Sequence, residues 1–186
     1  GGIDPTRIVL SGVAVSELFG AGISATLVFF SDRVHGALTF MNGSLSSRSW
    51  SEVRTILPYT IAGLLLAFIF ADKLNILVLG DDTARGLGLN VELTRLGFTA
   101  LAALLAASAV SVVGLLGFVG LIVPHSIRLI LGNNYRIMFP ATALLGAALV
   151  MLSDTFARTV LSPTEIPVGI VMAVLGVPFF LYLLRK

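Results

Sequence analysis

Long uncharged runs alternate with short polar islands along the 186 residues of this chain. A bilayer core of roughly 30 Å is crossed by about 20 mostly apolar helical residues, and runs on that scale recur. Residues 8–30 form the first, interrupted only by Glu17. Residues 56–71 form the second, which extends through "DKLNILVL" to a polar island at residues 79–95. Residues 96–124 carry no charge. At about 1.5 Å of rise per residue that stretch is too long for one comfortable span. A turn is therefore expected at "GLLG" (residues 114–117), leading into a shorter helix that ends near Leu131. Residues 137–158 and 168–184 supply the last two runs. About six spans of this length predict an all-α fold, a polytopic transmembrane helical bundle. It forms one membrane domain over residues 1–186, with residues 80–95 as a segment outside the lipid.

Composition agrees with the pattern. The chain is 56% hydrophobic and 12% charged, with a mean hydropathy of +1.00, which leaves too little polar surface for a water-soluble globule. Cysteine is absent, which excludes disulfides and thiolate metal sites. A formal charge of +2 gives no reason to expect nucleic acid as a partner. The opening "GGIDPTRIVL" has no basic n-region and no small-residue cleavage site, so it does not read as a signal peptide and is expected to be the cut end of a longer protein.

An even number of spans puts both termini on one side. Arg7, Lys73, Arg85, Arg95, Arg128, Arg136, Arg185 and Lys186 then share that side, against Arg33, Arg48, Arg54 and Arg158 on the other. The basic excess marks the cytoplasm, so the island and "GNNYR" (residues 132–136) are expected inside, and residues 31–54 and 159–167 outside. Helices in lipid associate through small residues. Gly114, Gly117 and Gly120, the alanines 102, 103, 106 and 107, and Gly12 and Gly20 are the expected contact faces. Prolines 58, 124, 140 and 178 fall in or at the ends of spans, where each frees a carbonyl that neighbours must satisfy and a bend is expected.

The island "LGDDTARGLGLNVELTR" is the richest local signal. Its "GLG" lacks both the preceding strand and the Lys-Ser/Thr of a phosphate loop. Two short helices account for it better. Asp81 and Asp82 suit an N-cap and first turn, "DTAR" makes about one turn, and Gly86 or Gly88 can take the left-handed conformation that ends it. Asn90 then caps a second helix, with Glu92 in its first turn and Arg95 beyond. Helices this short are marginal alone, so a partner must hold them; exposed Leu87, Leu89 and Leu93 suit a groove on a cytoplasmic protein. An ordinary solvated loop is the plain alternative.

The stretch from Gly117 to Leu184 carries a G-F-x-G-L-x-x-P-H-x-x-R run, a D-x-x-x-R pair, an E-x-P-x-G turn and a final G-x-P-x-F. These motifs resemble the permease subunits of ABC importers for iron siderophores, haem and cobalamin, the FecCD-type family, and the likeness runs from about Thr6 to Leu184. Such permeases resemble bundles of about ten crossings, so the chain looks like the last six or so of one. The resemblance implies several expectations. Gly80, Asp81, Ala84, Arg85, Leu87 and Gly88 would form the coupling segment, two short cytoplasmic helices seated in a cleft of separate ATP-binding subunits. Arg158 would meet an acidic residue of an extracytoplasmic substrate-binding protein. Thr6 would stand at the cytoplasmic gate, although Pro5 beside it is atypical. Cargo would pass along the interface with a second permease subunit, the same or a homologue, in a bacterial or archaeal plasma membrane. No catalytic residue, metal or cofactor is expected in the chain itself.

Asp154 and Arg158, four apart on one helix face, also read as a local ion pair that lets arginine reach the headgroups. Glu165 in "SPTEIP" either caps the last helix or pairs with Arg158; Arg33, Arg48 and Arg54 are further docking candidates. Glu17 departs from the family pattern. It either lines the pathway or is paired or protonated against another subunit. His125, Ser126 and Asp154 could suggest a membrane hydrolase, but the expected topology sets His125 near the inner end of its helix and Asp154 near the outer end of the next. His35 and His125 on different sides argue against a metal site, and Trp50 reads as an interface anchor. The rival functions are thus a membrane enzyme and a channel or secondary transporter.

Overall fold

The computed structural model describes residues 5–30, 34–46, 48–162 and 164–185, with side chains described at all of these except 5–9, 35, 182 and 184. Among the described residues every regular element is a helix. In chain order these are α1 (Pro5–Phe29), α2 (Val34–Asn42), α3 (Trp50–Ile69), α4 (Ala71–Leu77), α5 (Asp81–Gly86), α6 (Val91–Val113), α7 (Val119–Leu131), α8 (Tyr135–Thr159) and α9 (Val168–Leu184). Four helical stretches are long and apolar enough to cross a membrane: Leu10–Phe29, Trp50–Ile69, Val91–Val113 and Tyr135–Thr159. The remaining two expected crossings, α7 and α9, are shorter, with 13 and 17 residues.

The chain divides into two compact units, residues 1–39 and 40–186. In the first, α1 buries none of its apolar surface between Leu10 and Phe29. The Thr26 hydroxyl donates to Gly22 O at 2.8 Å, which satisfies it within the helix.

In the second unit α3 packs on α6, α7 on α8 and α9, and α8 also on α3, α4 and α9. Ala67, Ala71, Val123, Ile127, Met138, Ala157, Val168 and Met172 are buried there. Of the expected glycines Gly114 is closely packed, where a Cβ would overlap Phe40 O, but close approach between helices also depends on glycines that were not expected. A Cβ on Gly63 of α3 would overlap the Leu105 side chain of α6, and one on Gly176 of α9 would overlap the Phe118 ring. A Cβ on Gly117, Gly120, Gly12 or Gly20 would meet nothing within 4 Å. Alanines 102, 103, 106 and 107 are exposed, so the expected smooth face of α6 is not its packed one. The reason is that one small residue per crossing is enough. Gly63 on α3 leaves room for a leucine on α6, and α6 turns its bulkier side inward.

The turn after α6 falls where expected, with Val113 its last helical residue. Leu115 N–H donates to Phe40 O and Ser44 N–H to Val113 O, both at 2.9 Å, so this turn is tied to the end of α2. Phe118, which precedes α7, has a φ of 65°, the left-handed region that is costly for a non-glycine residue. Its ring lies against Gly176. All four prolines lie inside helices, in α3, α7, α8 and α9.

Two further differences concern helix ends. The second run starts at Trp50 rather than Ile56, because Ser49 and Glu52 form a capping box: Ser49 Oγ accepts from Ser51 N–H, and Glu52 accepts Ser49 N–H at 2.9 Å. That run also stops at Ile69. "DKLNILVL" is not its continuation but the separate helix α4.

Candidate functional site

The polar island folds as α5 and the entry to α6. Asp81 and Asp82 occupy the first turn of α5 and Arg85 its last, each complementing the helix dipole. Gly80 precedes the helix at φ 103° and ψ 154°, a backbone region essentially reserved for glycine. At the far end Gly88 N–H donates to Arg85 O at 2.9 Å and Leu89 N–H to Ala84 O at 3.0 Å, with Gly88 at φ 81°. This is a Schellman closure, and it decides between the two expected stop residues in favour of Gly88. Ala84 is completely buried, which leaves no room for a longer side chain, whereas Leu79 and Leu87 are about 60% exposed.

Asn90 does cap a helix, its Oδ1 accepting from Leu93 N–H at 3.1 Å. The expectation of a second short helix there is corrected, however: Asn90 starts the 23-residue α6. No breaker separates Glu92 and Arg95 from the apolar run that follows, so the helix continues into it. The second short helix lies before α5 instead, as α4. Arg95 reaches back from α6 to Asp81 at 2.7 Å, fastening α5 to it. Arg85 stands 3.9 Å from Asp82 in an exposed pair of little energetic weight.

On the other side α4 is joined to the start of α8. Asn75 Nδ2 donates to Asn134 Oδ1 at 3.2 Å, Asn75 Oδ1 accepts Tyr135 N–H at 2.9 Å, and Arg136 pairs with Asp72 at 2.5 Å. The sequence pattern gave Arg136 and residues 132–136 a cytoplasmic place but no structural role, and gave none to Asp72 or Asn75. A signal was available: three polar residues within "ADKLN" do not suit the lipid-facing tail of a span.

At the opposite end of this unit α8 finishes and α9 begins. Arg158 Nε donates to Asp154 Oδ2 at 2.8 Å, so the expected i,i+4 pair forms. Glu165 accepts the Ser46 hydroxyl. Among the described residues no ion pair joins Glu165 to Arg158. Arg48 and Arg54 are exposed, and Arg33 lies outside the described residues. Thr6 belongs to α1, its side chain outside the described ones; Glu17 is exposed on the same helix with no ion pair among the described residues.

His125 meets Phe179 edge-on with ring centroids 6.2 Å apart, Ser126 Oγ donates to Ile122 O at 2.7 Å, and Asp154 is engaged by Arg158. Ser126 and Asp154 thus hydrogen-bond to other groups than His125. Among the described residues no cluster of three or more His, Asp or Glu could hold a metal.

Comparison with known proteins agrees with this architecture. The chain is 40% identical over 186 residues to the Fe(3+)-citrate import system permease protein YfmD of Bacillus subtilis, covering all of this chain and 56% of that one. It is 41% identical over 185 residues to the cobalamin import system permease protein BtuC of Halobacterium salinarum, covering 99% of this chain and 50% of that one. A solved structure described as an inward-facing conformation of a metal-chelate type ABC transporter superposes with a TM-score of 0.86 at 29% identity, over 98% of this chain and 60% of that one. The chain thus spans about half the length of the curated relatives it matches. Its apolar helices and these bacterial and archaeal permease relatives mark a multi-pass protein of the plasma membrane. The model of the FecCD transport family matches residues 1–186, and the chain belongs to that family.

Proposed function

We propose that this chain is part of the membrane-crossing bundle of a permease subunit in an ATP-driven importer of bulky metal chelates, of the ferric siderophore, ferric citrate, haem or cobalamin class. Relatives at 40% and 41% identity carry names of ferric-citrate and cobalamin import permeases, which supports that cargo range. Separate cytoplasmic subunits hydrolyse ATP, and the chain catalyses nothing itself. A binding protein delivers cargo from outside, and cargo passes along the interface with a second permease subunit.

The end bearing α4 and α5 faces the cytoplasm, a reading supported by the basic excess of Lys73, Arg85, Arg95 and Arg136 there over Arg48, Arg54 and Arg158 at the other end. Residues 80–95 are the coupling segment. Gly80, Asp81, Ala84, Arg85, Leu87 and Gly88 build a small rigid handle that the ATPase grips, so that its closure displaces the attached helices. Arg158 and Glu165 meet the binding protein. Thr6 serves the gate, and Glu17 faces either the pathway or the adjoining subunit.

The observation that carries this reading is the geometry of α5: a six-residue helix closed by glycines at both ends, its one alanine buried and its flanking leucines exposed. A helix this short is marginal alone, and its exposed Leu79 and Leu87 offer the apolar surface that a partner's groove would cover. The test reconstitutes the full-length permease with its ATPase subunits and binding protein in liposomes and follows labelled ferric citrate or cobalamin. Uptake requiring ATP and lost on changing Leu87 to Asp is expected. Uptake that persists without any ATPase subunit would indicate a channel or secondary transporter and overturn the proposal.

A further inference from the structure

We propose that Asp72, Asn75, Asn134 and Arg136 are positioning residues: a brace that delivers displacement of the α5 handle to α8, in parallel with the Asp81–Arg95 pair that delivers it to α6. The inference rests on the coupling function proposed above and adds a route that the handle alone does not specify.

Helix α8 begins with backbone N–H groups that have no partner inside the helix. Asn134, its N-cap, takes Arg136 N–H at 3.0 Å. The N–H of Tyr135 is taken by the side chain of Asn75, from a different helix. The same amide donates to Asn134 Oδ1, so a single side chain of α4 uses both its donor and its acceptor on the α8 cap. One turn earlier on the same face of α4, Asp72 holds Arg136. A helix start that depends on a residue about 60 positions away in sequence cannot move independently of it.

The link from α4 to α5 has no slack. Val78 N–H donates to Leu74 O at 3.1 Å, Leu79 N–H to Ile76 O at 3.1 Å, Gly80 N–H to Leu77 O at 3.3 Å and Ala84 N–H to Gly80 O at 2.9 Å. Seven residues are too few for α4 to hold its shape alone, so its orientation is imposed by what it touches. Its fully buried Ala71 and its packing on α8 fix one side, and the polar brace fixes its angle. Beyond α8 lie α7 and α9, both packed on it. A push on α5 therefore leaves by two routes: into α6 through Arg95, and through α4 into the α7–α8–α9 group.

The test uses the full-length permease assembled with its ATPase subunits and binding protein in liposomes, carrying Asn75→Ala together with Arg136→Gln. Assembly should survive and ATP hydrolysis stay within about twofold, while cargo imported per ATP falls about five- to tenfold, the size of a modest coupling energy. The charge swap Asp72→Arg with Arg136→Asp should recover at least half of that loss, which a merely structural lesion would not allow. An independent readout needs no transport. In a cysteine-free background of the permease, spin labels at Thr83→Cys on α5 and Leu144→Cys on α8 report their separation. A narrow distance distribution should broaden in the Asn75→Ala, Arg136→Gln background. If that double variant does not assemble, Arg136→Gln alone, which leaves both amide caps in place, should still broaden it. An unchanged distribution, or unchanged import per ATP in a transporting protein, overturns the brace. Absence of ATP-driven import in the unmutated assembly overturns the coupling function instead, and the spin-label distances still decide whether α4 locks α5 to α8.

Discussion

Replacing Gly88 by alanine isolates the contribution of the handle's stop signal. Gly88 sits at φ 81°, and a Cβ built there meets nothing within 4 Å, so the substitution adds no clash and its cost is purely conformational. Holding an L-residue in the left-handed region costs about 1–2 kcal/mol. With six residues, α5 has little cooperativity to absorb that cost. The two bonds of the closure, Gly88 N–H to Arg85 O and Leu89 N–H to Ala84 O, are the ones that open. A cost of that size lowers the ratio of closed to open handle by roughly 5- to 30-fold. Amide hydrogen exchange, read by mass spectrometry on the detergent-solubilised permease, should show faster exchange across residues 84–89 and none elsewhere, in particular none in α6 or α8. Capture of the ATPase subunit should weaken by no more than that factor, because a partner that grips only the closed handle loses affinity in proportion to the closed fraction, which falls as steeply as the ratio only once the open handle predominates. Gly88→Asn, which tolerates the left-handed region better, should fall between the two. If Gly88→Ala exchanged and bound as the parent does, or if the asparagine variant were the worse of the two, the argument that glycine conformation sets the rigidity of the handle would fail.

Other expectations follow from the same contacts. Gly63→Val forces Leu105 out of its place on α6 and should cost about 1–3 kcal/mol, seen as a lower unfolding temperature in detergent, with Leu105→Ala restoring most of it; no change would mean that α3 and α6 are not held by this contact. Ser49→Ala removes one half of the capping box of α3 and should destabilise by about 1 kcal/mol, with exchange rising only in the first turn after Trp50. Arg158→Ala breaks a partly exposed i,i+4 pair worth only a few tenths of a kcal/mol, so thermal stability should hold while capture of the binding protein falls; an equal fall in both would reduce Arg158 to a structural residue.

Most of the helices could be read from the chain because their causes are local. A mostly apolar run with Asn90 before it and Gly114 after it fixes where α6 starts and stops. Asp81 with Gly88 announces α5, and Asp154 with Arg158 announces its own ion pair. Even the unrecognised start of α3 was present locally, as the Ser-x-x-Glu of its capping box. What could not be read this way depends on groups distant along the chain. Which glycines admit a neighbour is decided by where Leu105 and the Phe118 ring fall, so Gly63 and Gly176 are packed while the equally small Gly117 and Gly120 face open space. The use of Asn75 to complete the α8 cap likewise depends on residues 134–135 arriving beside it. Hydropathy and capping act within a few residues and so determined the helices, the membrane setting and the handle's ends. Hydrogen bonds and close contacts act only between groups the folded chain has brought together, so the tertiary structure alone decided how the handle is anchored to the helices behind it.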